Sequence, residues 1–117
     1  HATLEPMNAT LWFRDGGCEA WVPSQAPDIV RQVICDMAGL TRDRVTVHAT
    51  LAGGGFGRRA TVDYVAEAIA VAQRFDRPVQ LAWTREDDLA HGLYREASRH
   101  RLRAALAADG TLVAWEH

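Results

Sequence analysis

Apolar and polar positions along this 117-residue chain change period several times. From Ala9 to Val22 the period is two. Leu11 and Phe13 alternate with Trp12 and Arg14, Asp15-Gly16-Gly17 interrupts, and Cys18 to Val22 returns. Alternation around an Asp-Gly step predicts a β-hairpin. Pro23, which has no N–H for a ladder, ends its second arm. From Pro27 to Gly39 the period becomes helical: Ile29, Val30, Val33, Ile34 and Met37 form one stripe, and Arg31, Gln32 and Asp36 fall off it. Pro27 suits the first turn, Asp28 complements the helix dipole, and Gly39 stops the helix. Val45 to Thr50 reads as a strand. A second helix is predicted from about Val62 to Phe75, with Val62, Val65, Ala66, Ile69 and Ala72 on one face and Tyr64, Ala68, Val71 and Phe75 on another. A helix apolar on two sides is usually sandwiched between layers, so this one is expected to pack against more protein than these residues supply. Asp76-Arg77-Pro78 turns into a strand, Val79 to Trp83, and Thr84 to Asp88 starts a short helix or loop. Arg99 to Ala107 and Thr111 to Trp115, joined by Ala108-Asp109-Gly110, form a second hairpin. The predicted class is α+β, in the order hairpin-α-β-α-β-hairpin.

Composition narrows the function classes. The length suits one domain with a modest core. A net charge of −2 gives no general attraction for nucleic acid. All 13 basic residues are arginine, which favours planar contacts to anions over point charges. Cys18 and Cys35 are too few and too far apart for a zinc or iron–sulfur site. They are expected to be buried free thiols, with pairing in an oxidising compartment as the alternative. No apolar run approaches the ~20 residues of a membrane span. The chain begins at His1 and ends at Trp115-Glu116-His117, and is read as a segment, residues 1–117, of a longer subunit. That leaves the compartment open between bacterial cytoplasm and a periplasmic or inner-membrane-associated location.

The chemistry concentrates in Leu51-Ala52-Gly53-Gly54-Gly55-Phe56-Gly57-Arg58-Arg59, which joins the Val45–Thr50 strand to the second helix. Glycines remove the Cβ atoms that keep ligands from the backbone and permit positive φ. A strand, a bare loop and a helix start form a cradle of N–H groups suited to phosphate or another anion. The run is not a nucleotide fingerprint, however. Counting from Gly53, the sixth place of G-x-G-x-x-G holds Arg58, and without lysine there is no G-K-[ST].

The neighbours supply an identity. His1-Ala2-Thr3-Leu4-Glu5-Pro6-Met7-Asn8-Ala9-Thr10 resembles the Glu-Pro-Met-Asn-Ala signature of the molybdopterin-binding subunit in the xanthine dehydrogenase and aldehyde oxidase superfamily. Trp21-Val22-Pro23-Ser24-Gln25-Ala26-Pro27 resembles its strand-end Thr/Ser-Gln element. Gly53-Gly54-Gly55-Phe56-Gly57-Arg58-Arg59 resembles its cofactor loop, and Pro78 to Asp88 the segment after its second helix. All four lie in family order. Their forms are similar to the branch of isoquinoline 1-oxidoreductase beta subunits and membrane-bound aldehyde dehydrogenases.

The resemblance implies a fragment of a molybdenum hydroxylase, oxidising an aldehyde or N-heterocycle with water as the oxygen source. It implies molybdopterin cytosine dinucleotide with molybdenum, held through the dithiolene, so no protein metal ligand is expected. The implied partners are the remainder of the large subunit, an iron–sulfur small subunit carrying the clusters, and a cytochrome as a further electron acceptor. The implied catalytic residues are Gln25, hydrogen-bonding an oxygen ligand of molybdenum, and Phe56, a stacking wall of the substrate cavity. Their plain alternatives are a polar residue satisfied by backbone and a core phenylalanine. The implied cofactor-binding set is Gln25, Gly53, Gly54, Gly55, Phe56, Gly57, Arg58 and Arg59, with the two arginines meeting either cofactor phosphates or a carboxylate. Glu5 is expected to make structural hydrogen bonds. Ala60 stands where some xanthine-oxidising members place a substrate-directed glutamate, which argues against a purine held that way, and the family's general-base glutamate is not in this chain. The isolated segment is therefore expected to be inactive. His48, His91, His100 and His117 read as surface or strand residues, the four tryptophans as strand residues that pack, and Glu86-Asp87-Asp88 as a solvated face or a helix start. The rival reading is a non-catalytic packing or anion-binding module that uses the glycines only to turn.

Overall fold

The computed structural model describes residues 1–117. The alternation at the start of the chain becomes β1 (Asn8–Arg14) and β2 (Gly17–Val22), paired antiparallel from Thr10↔Trp21 to Arg14↔Gly17. Their two-residue turn puts Asp15 at φ +50° and Gly16 at φ +68°. Positive φ at both positions matches the right-handed twist of the strands. Helix α1 (Pro27–Ala38) carries the chain back, and Gly39 ends it in the left-handed conformation at φ +65°. β3 (Val45–Ala49) then lies parallel to β2, with Cys18↔Val45 and Val22↔Ala49. Helix α2 (Asp63–Ala72) leads to β4 (Val79–Ala82), antiparallel to β1 on the far edge. The sheet order is β3-β2-β1-β4.

Period two divides this sheet into two faces. Ala9, Leu11, Cys18, Ala20, Val22 and Val45 are buried against Val30 and Ile34 of α1 and Val65, Ala68 and Ile69 of α2. Each large aliphatic side chain so buried contributes roughly 1.5–3 kcal/mol. On the other face Trp21 stacks on His48 with centroids 5.2 Å apart, and the Arg14 guanidinium lies 4.0 Å over the Trp12 ring. Glu19 links the two pairs, at 3.0 Å from Arg14 and 2.9 Å from His48.

The remaining elements are α3 (Arg85–His91) and a hairpin of β5 (Arg103–Leu106) and β6 (Leu112–Glu116). The polar stretch expected as a short helix or loop is a helix because Thr84 and Asp87 close a capping box on each other's backbone N–H groups. Asp88 is not solvated as expected: it is buried and ion-paired with Arg85 at 2.7 Å. The second helix is shorter than its pattern, ending at Ala72. Val71 and Phe75 of its second apolar face are exposed. The hairpin strands pair only with each other and are exposed throughout, Trp115 included. Cys18 and Cys35 are free and buried.

The topology has one consequence for chemistry. β2 and β3 are parallel, so both end on the same side. β1 runs opposite to β2 and starts on that side, and β4, opposite to β1, ends there. Glu5, Gln25, the glycine loop and Arg85 are therefore gathered at one end of the sheet, where ligand crevices form outside the carboxyl ends of parallel strands.

Candidate functional site

The glycine loop leaves β3 and is bound first to the N-terminal segment. The Gly53 N–H donates to Glu5 Oε2 at 2.8 Å, and the Glu5 N–H donates to the Gly53 carbonyl at 3.1 Å. A Cβ on Gly53 would fall 2.5 Å from that of Glu5, so only glycine permits this approach. The other Glu5 oxygen accepts from Asn8 Nδ2 at 2.8 Å, and Thr3 Oγ1 donates to the Glu5 carbonyl. Burial pushes the Glu5 carboxyl up, but the Gly53 N–H, the Asn8 amide and the Arg59 charge outweigh it and hold the group below its ordinary value. The Glu-Pro-Met-Asn signature is thus a carboxylate clamp on the loop.

Gln25 meets the loop from the other side. Ser24 Oγ accepts the Ala26 N–H at 2.9 Å and donates to the Arg59 carbonyl at 3.1 Å, which sets the turn out of β2. Gln25 Oε1 accepts the Gly57 N–H at 3.1 Å. A backbone N–H can only donate, so this contact fixes the amide's orientation. The side-chain NH2 is left with two donors and no protein acceptor. Gly55 lies beneath it, and a Cβ there would sit 2.5 Å from Gln25 Oε1.

The N–H groups of Gly54, Gly55 and Phe56 also donate to no protein acceptor. Phe56 adopts φ +52°, an uncommon conformation for a side chain this large. It is 65% exposed, with its ring edge beside Gly54. The loop and Gln25 together form a site rich in unpaired donors, walled by one aromatic ring. A donor set of this kind fits a ligand whose surface is oxygen or another acceptor.

The two arginines face inward. Arg58 and Arg59 are 1% and 0% exposed. Of the two partners expected for them, the structure shows carboxylates. Arg58 grips Asp63 bidentately at 2.8 and 2.7 Å and lies over the Trp83 ring. Arg59 bonds Glu5 Oε2 at 2.9 Å and the carbonyls of Gly54, Glu5 and Pro23. Neither guanidinium is presented at the surface. Ala60 is exposed and contributes no side-chain hydrogen bond. A cleft of about 470 Å³ beside the loop is lined by Gly57, Arg58, Thr61, Tyr94 and Arg95 among others, and Arg95 donates to the Phe56 carbonyl at 2.7 Å.

Sequence reasoning misses Asp63, Ser24, Asn8 and Arg95 as supports of this site. Asp63 carries the nearest signal, an acid at a helix start close after two arginines. Asn8 and Ser24 stand in the Glu-Pro-Met-Asn and Ser-Gln motifs, but their supporting bonds, like that of Arg95, come from the fold. Arg85 belongs to a sequence motif, but its role as a clamp comes from the fold: it donates to the carbonyls of Thr3 and Leu4.

The family described as molybdopterin cofactor-binding domain matches residues 1–117. The beta subunit of isoquinoline 1-oxidoreductase from Brevundimonas diminuta is 35% identical over 118 residues, covering 99% of this chain and 15% of that protein. The membrane-bound aldehyde dehydrogenase of Gluconacetobacter polyoxogenes is 30% identical over 118 residues, covering all of this chain and 15% of its own. Among solved structures, reconstituted CO dehydrogenase from Oligotropha carboxidovorans superposes with a TM-score of 0.69 at 25% identity, over 75% of this chain and 11% of its own. The chain thus spans about 15% of the length of these two relatives. Matched by that family over their whole length, these 117 residues belong to the molybdopterin cofactor-binding domain family.

Proposed function

We propose that this segment supplies one wall of the cofactor cleft in a molybdenum hydroxylase that oxidises an aldehyde or an N-heterocycle. The observation that carries the reading is the convergence of Gln25 and the glycine loop on one end of the sheet, with acceptor-free donors from both. The cofactor, when bound, supplies the redox chemistry and the activated oxygen. The residues here bind and orient. The Gln25 amide offers N–H donors to an oxygen ligand without adding charge. The Gly54 and Gly55 N–H groups offer the same from the backbone. Phe56 offers a flat apolar surface to a planar substrate. Neutral donors fit an oxygen-rich, anionic group, and nothing in the donor set would act as a metal ligand.

The substrate class follows the two relatives, one named for isoquinoline and the other for aldehyde oxidation. Ala60 removes a carboxylate that would hold a purine in the xanthine-oxidising manner. The cytosine dinucleotide form, an iron–sulfur partner subunit, the rest of the large subunit and a cytochrome belong to the same proposal, as does a setting in the bacterial cytoplasm or in the periplasm, associated with the inner membrane. No helix is long and apolar enough to cross a membrane.

The test is molybdenum per polypeptide by elemental analysis, on the full-length subunit carrying this segment and co-expressed with an iron–sulfur partner. Near-stoichiometric metal is expected, with activity lost in Gln25→Ala and Phe56→Ala variants that still fold. A well-folded, cofactor-competent preparation without molybdenum would overturn the proposal and leave the packing-module reading.

A further inference from the structure

Arg59 is the residue on which the three parts of the site meet. Its Nε donates to the Gly54 carbonyl at 2.6 Å, inside the glycine loop. Its Nη2 donates to the Glu5 carbonyl at 2.7 Å and to Glu5 Oε2 at 2.9 Å, in the N-terminal segment. Its Nη1 points to the Pro23 carbonyl at 3.4 Å, at the end of β2. Its own carbonyl accepts the Gln25 N–H at 3.2 Å and the Ser24 hydroxyl at 3.1 Å. The Arg59 side chain is fully buried, so its N–H donors are shielded from water, while its Glu5 partner is 35% exposed. The Glu5 carboxylate that answers it also holds the Gly53 N–H.

The geometry points to Arg59 as a positioning residue: one buried guanidinium, braced by Glu5, sets the distance between the Gln25 amide and the Gly54–Phe56 N–H groups. This inference rests on the cofactor-cleft reading for its effect on turnover. It does not rest on it for the loop itself. The role requires a fork. Gly54, Glu5 and Pro23 present acceptors in different directions, and a planar group with five donors reaches them together. A lysine ammonium places all its donors on one atom and cannot hold the Gly54 and Pro23 carbonyls at once. Arg59 therefore does not act on a bound phosphate. It acts through Gly54 and Gln25.

Arg59→Lys in the full-length subunit, purified with its partner, is the decisive variant, and Glu5→Gln is the second, since it keeps the guanidinium and removes the charge that braces it, at the cost of also disturbing the Gly53 N–H and Asn8 contacts of Glu5. Two readouts are taken: hydrogen–deuterium exchange of peptides covering residues 24–26 and 53–57, and steady-state kinetics with molybdenum content. Arg59→Lys is expected to speed exchange of the hydrogen-bonded amides in those two peptides, those of Gln25, Ala26, Gly53 and Gly57, by about tenfold or more while the β1 and α2 peptides stay protected. It is also expected to lower kcat by roughly ten- to a hundredfold with KM within about threefold, because reacting groups misplaced by about 1 Å lose that much rate. Glu5→Gln should show the same pattern more weakly. Normal exchange at the Gln25, Gly53 and Gly57 amides in Arg59→Lys, or exchange raised uniformly across the domain, would overturn the inference. If Arg59→Lys does not fold, Glu5→Gln decides alone at the Gln25 and Gly57 amides, because the Gly53 N–H bonds Glu5 directly. Absence of molybdenum from the wild-type protein would remove the cleft reading and leave the exchange result standing by itself.

Discussion

Gly55→Ala separates the position of the Gln25 amide from the stability of the fold. The added Cβ would meet Gln25 Oε1 at 2.5 Å and Cδ at 2.8 Å, whereas ordinary contact begins at 3.4 Å. The amide must retreat by about 0.9 Å, the difference between 2.5 and 3.4 Å. It can do so cheaply, since Gln25 is exposed and its side chain is flexible. The retreat breaks the 3.1 Å bond from the Gly57 N–H. One such bond at an accessible site is worth about 1 kcal/mol net, so a melting temperature lower by a few degrees is expected. The catalytic cost is much larger. A shift approaching 1 Å in a group that orients the reacting centre corresponds to a loss of kcat of roughly ten- to a hundredfold. Gly39→Ala is the matched control. Gly39 has φ +65°, and a Cβ added there would meet nothing within 4 Å. Alanine at that position, at the far end of α1, therefore costs roughly 1–2 kcal/mol of backbone strain without touching Gln25 or its partners. Thermal melts and steady-state kinetics on the cofactor-loaded enzyme compare the two. Similar melting with a much lower kcat only in Gly55→Ala is expected; equal kcat losses in both variants would refute the reasoning.

The Arg58–Asp63 pair should be asymmetric. Arg58 is buried and Asp63 is 38% exposed, so Asp63→Ala strands a buried cation and costs about 3–5 kcal/mol, whereas Arg58→Met leaves a carboxylate that water can solvate and costs less; the reverse order in thermal melts would contradict the assignment. Glu5 is held below its ordinary value in the folded chain, so its stabilising contribution is present above the unfolded-state pKa and is lost as pH falls through the folded value; Glu5→Gln should flatten that acid limb in pH-dependent melts. Burial pushes the Cys18 thiol up to about 12, so it should resist alkylation at pH 8 in the native protein and react fully on denaturation.

Much of the fold is legible in the sequence because it is patterned locally. The period-two hairpin, the Pro27–Gly39 helix and the Val45 strand each carry their own start and stop residues. The second helix reads as longer than it is because Val71 and Phe75 continue its apolar pattern, and nothing local says that the turn at Gln73 wins. The short helix after Thr84 has the Thr-x-x-Asp spacing of a capping box in its sequence, and the structure shows both of the box's bonds closed. In the site, Gln25 and the glycine run are identified through the family motif. The inward direction of Arg58 and Arg59 is not legible, because an arginine's fate depends on which carboxylate the fold brings near it. Glu5 lies 54 residues before Arg59, and only the strand order β3-β2-β1-β4 makes them neighbours.

That strand order also sorts the positions open to change from those that are not. At the end of the sheet where the motifs gather, Gly53, Gly55, Arg58, Arg59 and Glu5 are each fixed by a contact that one other residue type would break. Ala52, Phe56 and Ala60 sit among them with exposed side chains. A laboratory library confined to those three positions would vary the surface beside the glycine loop while leaving the contacts that hold the loop intact, so folding would tolerate it even where the proposed function would not.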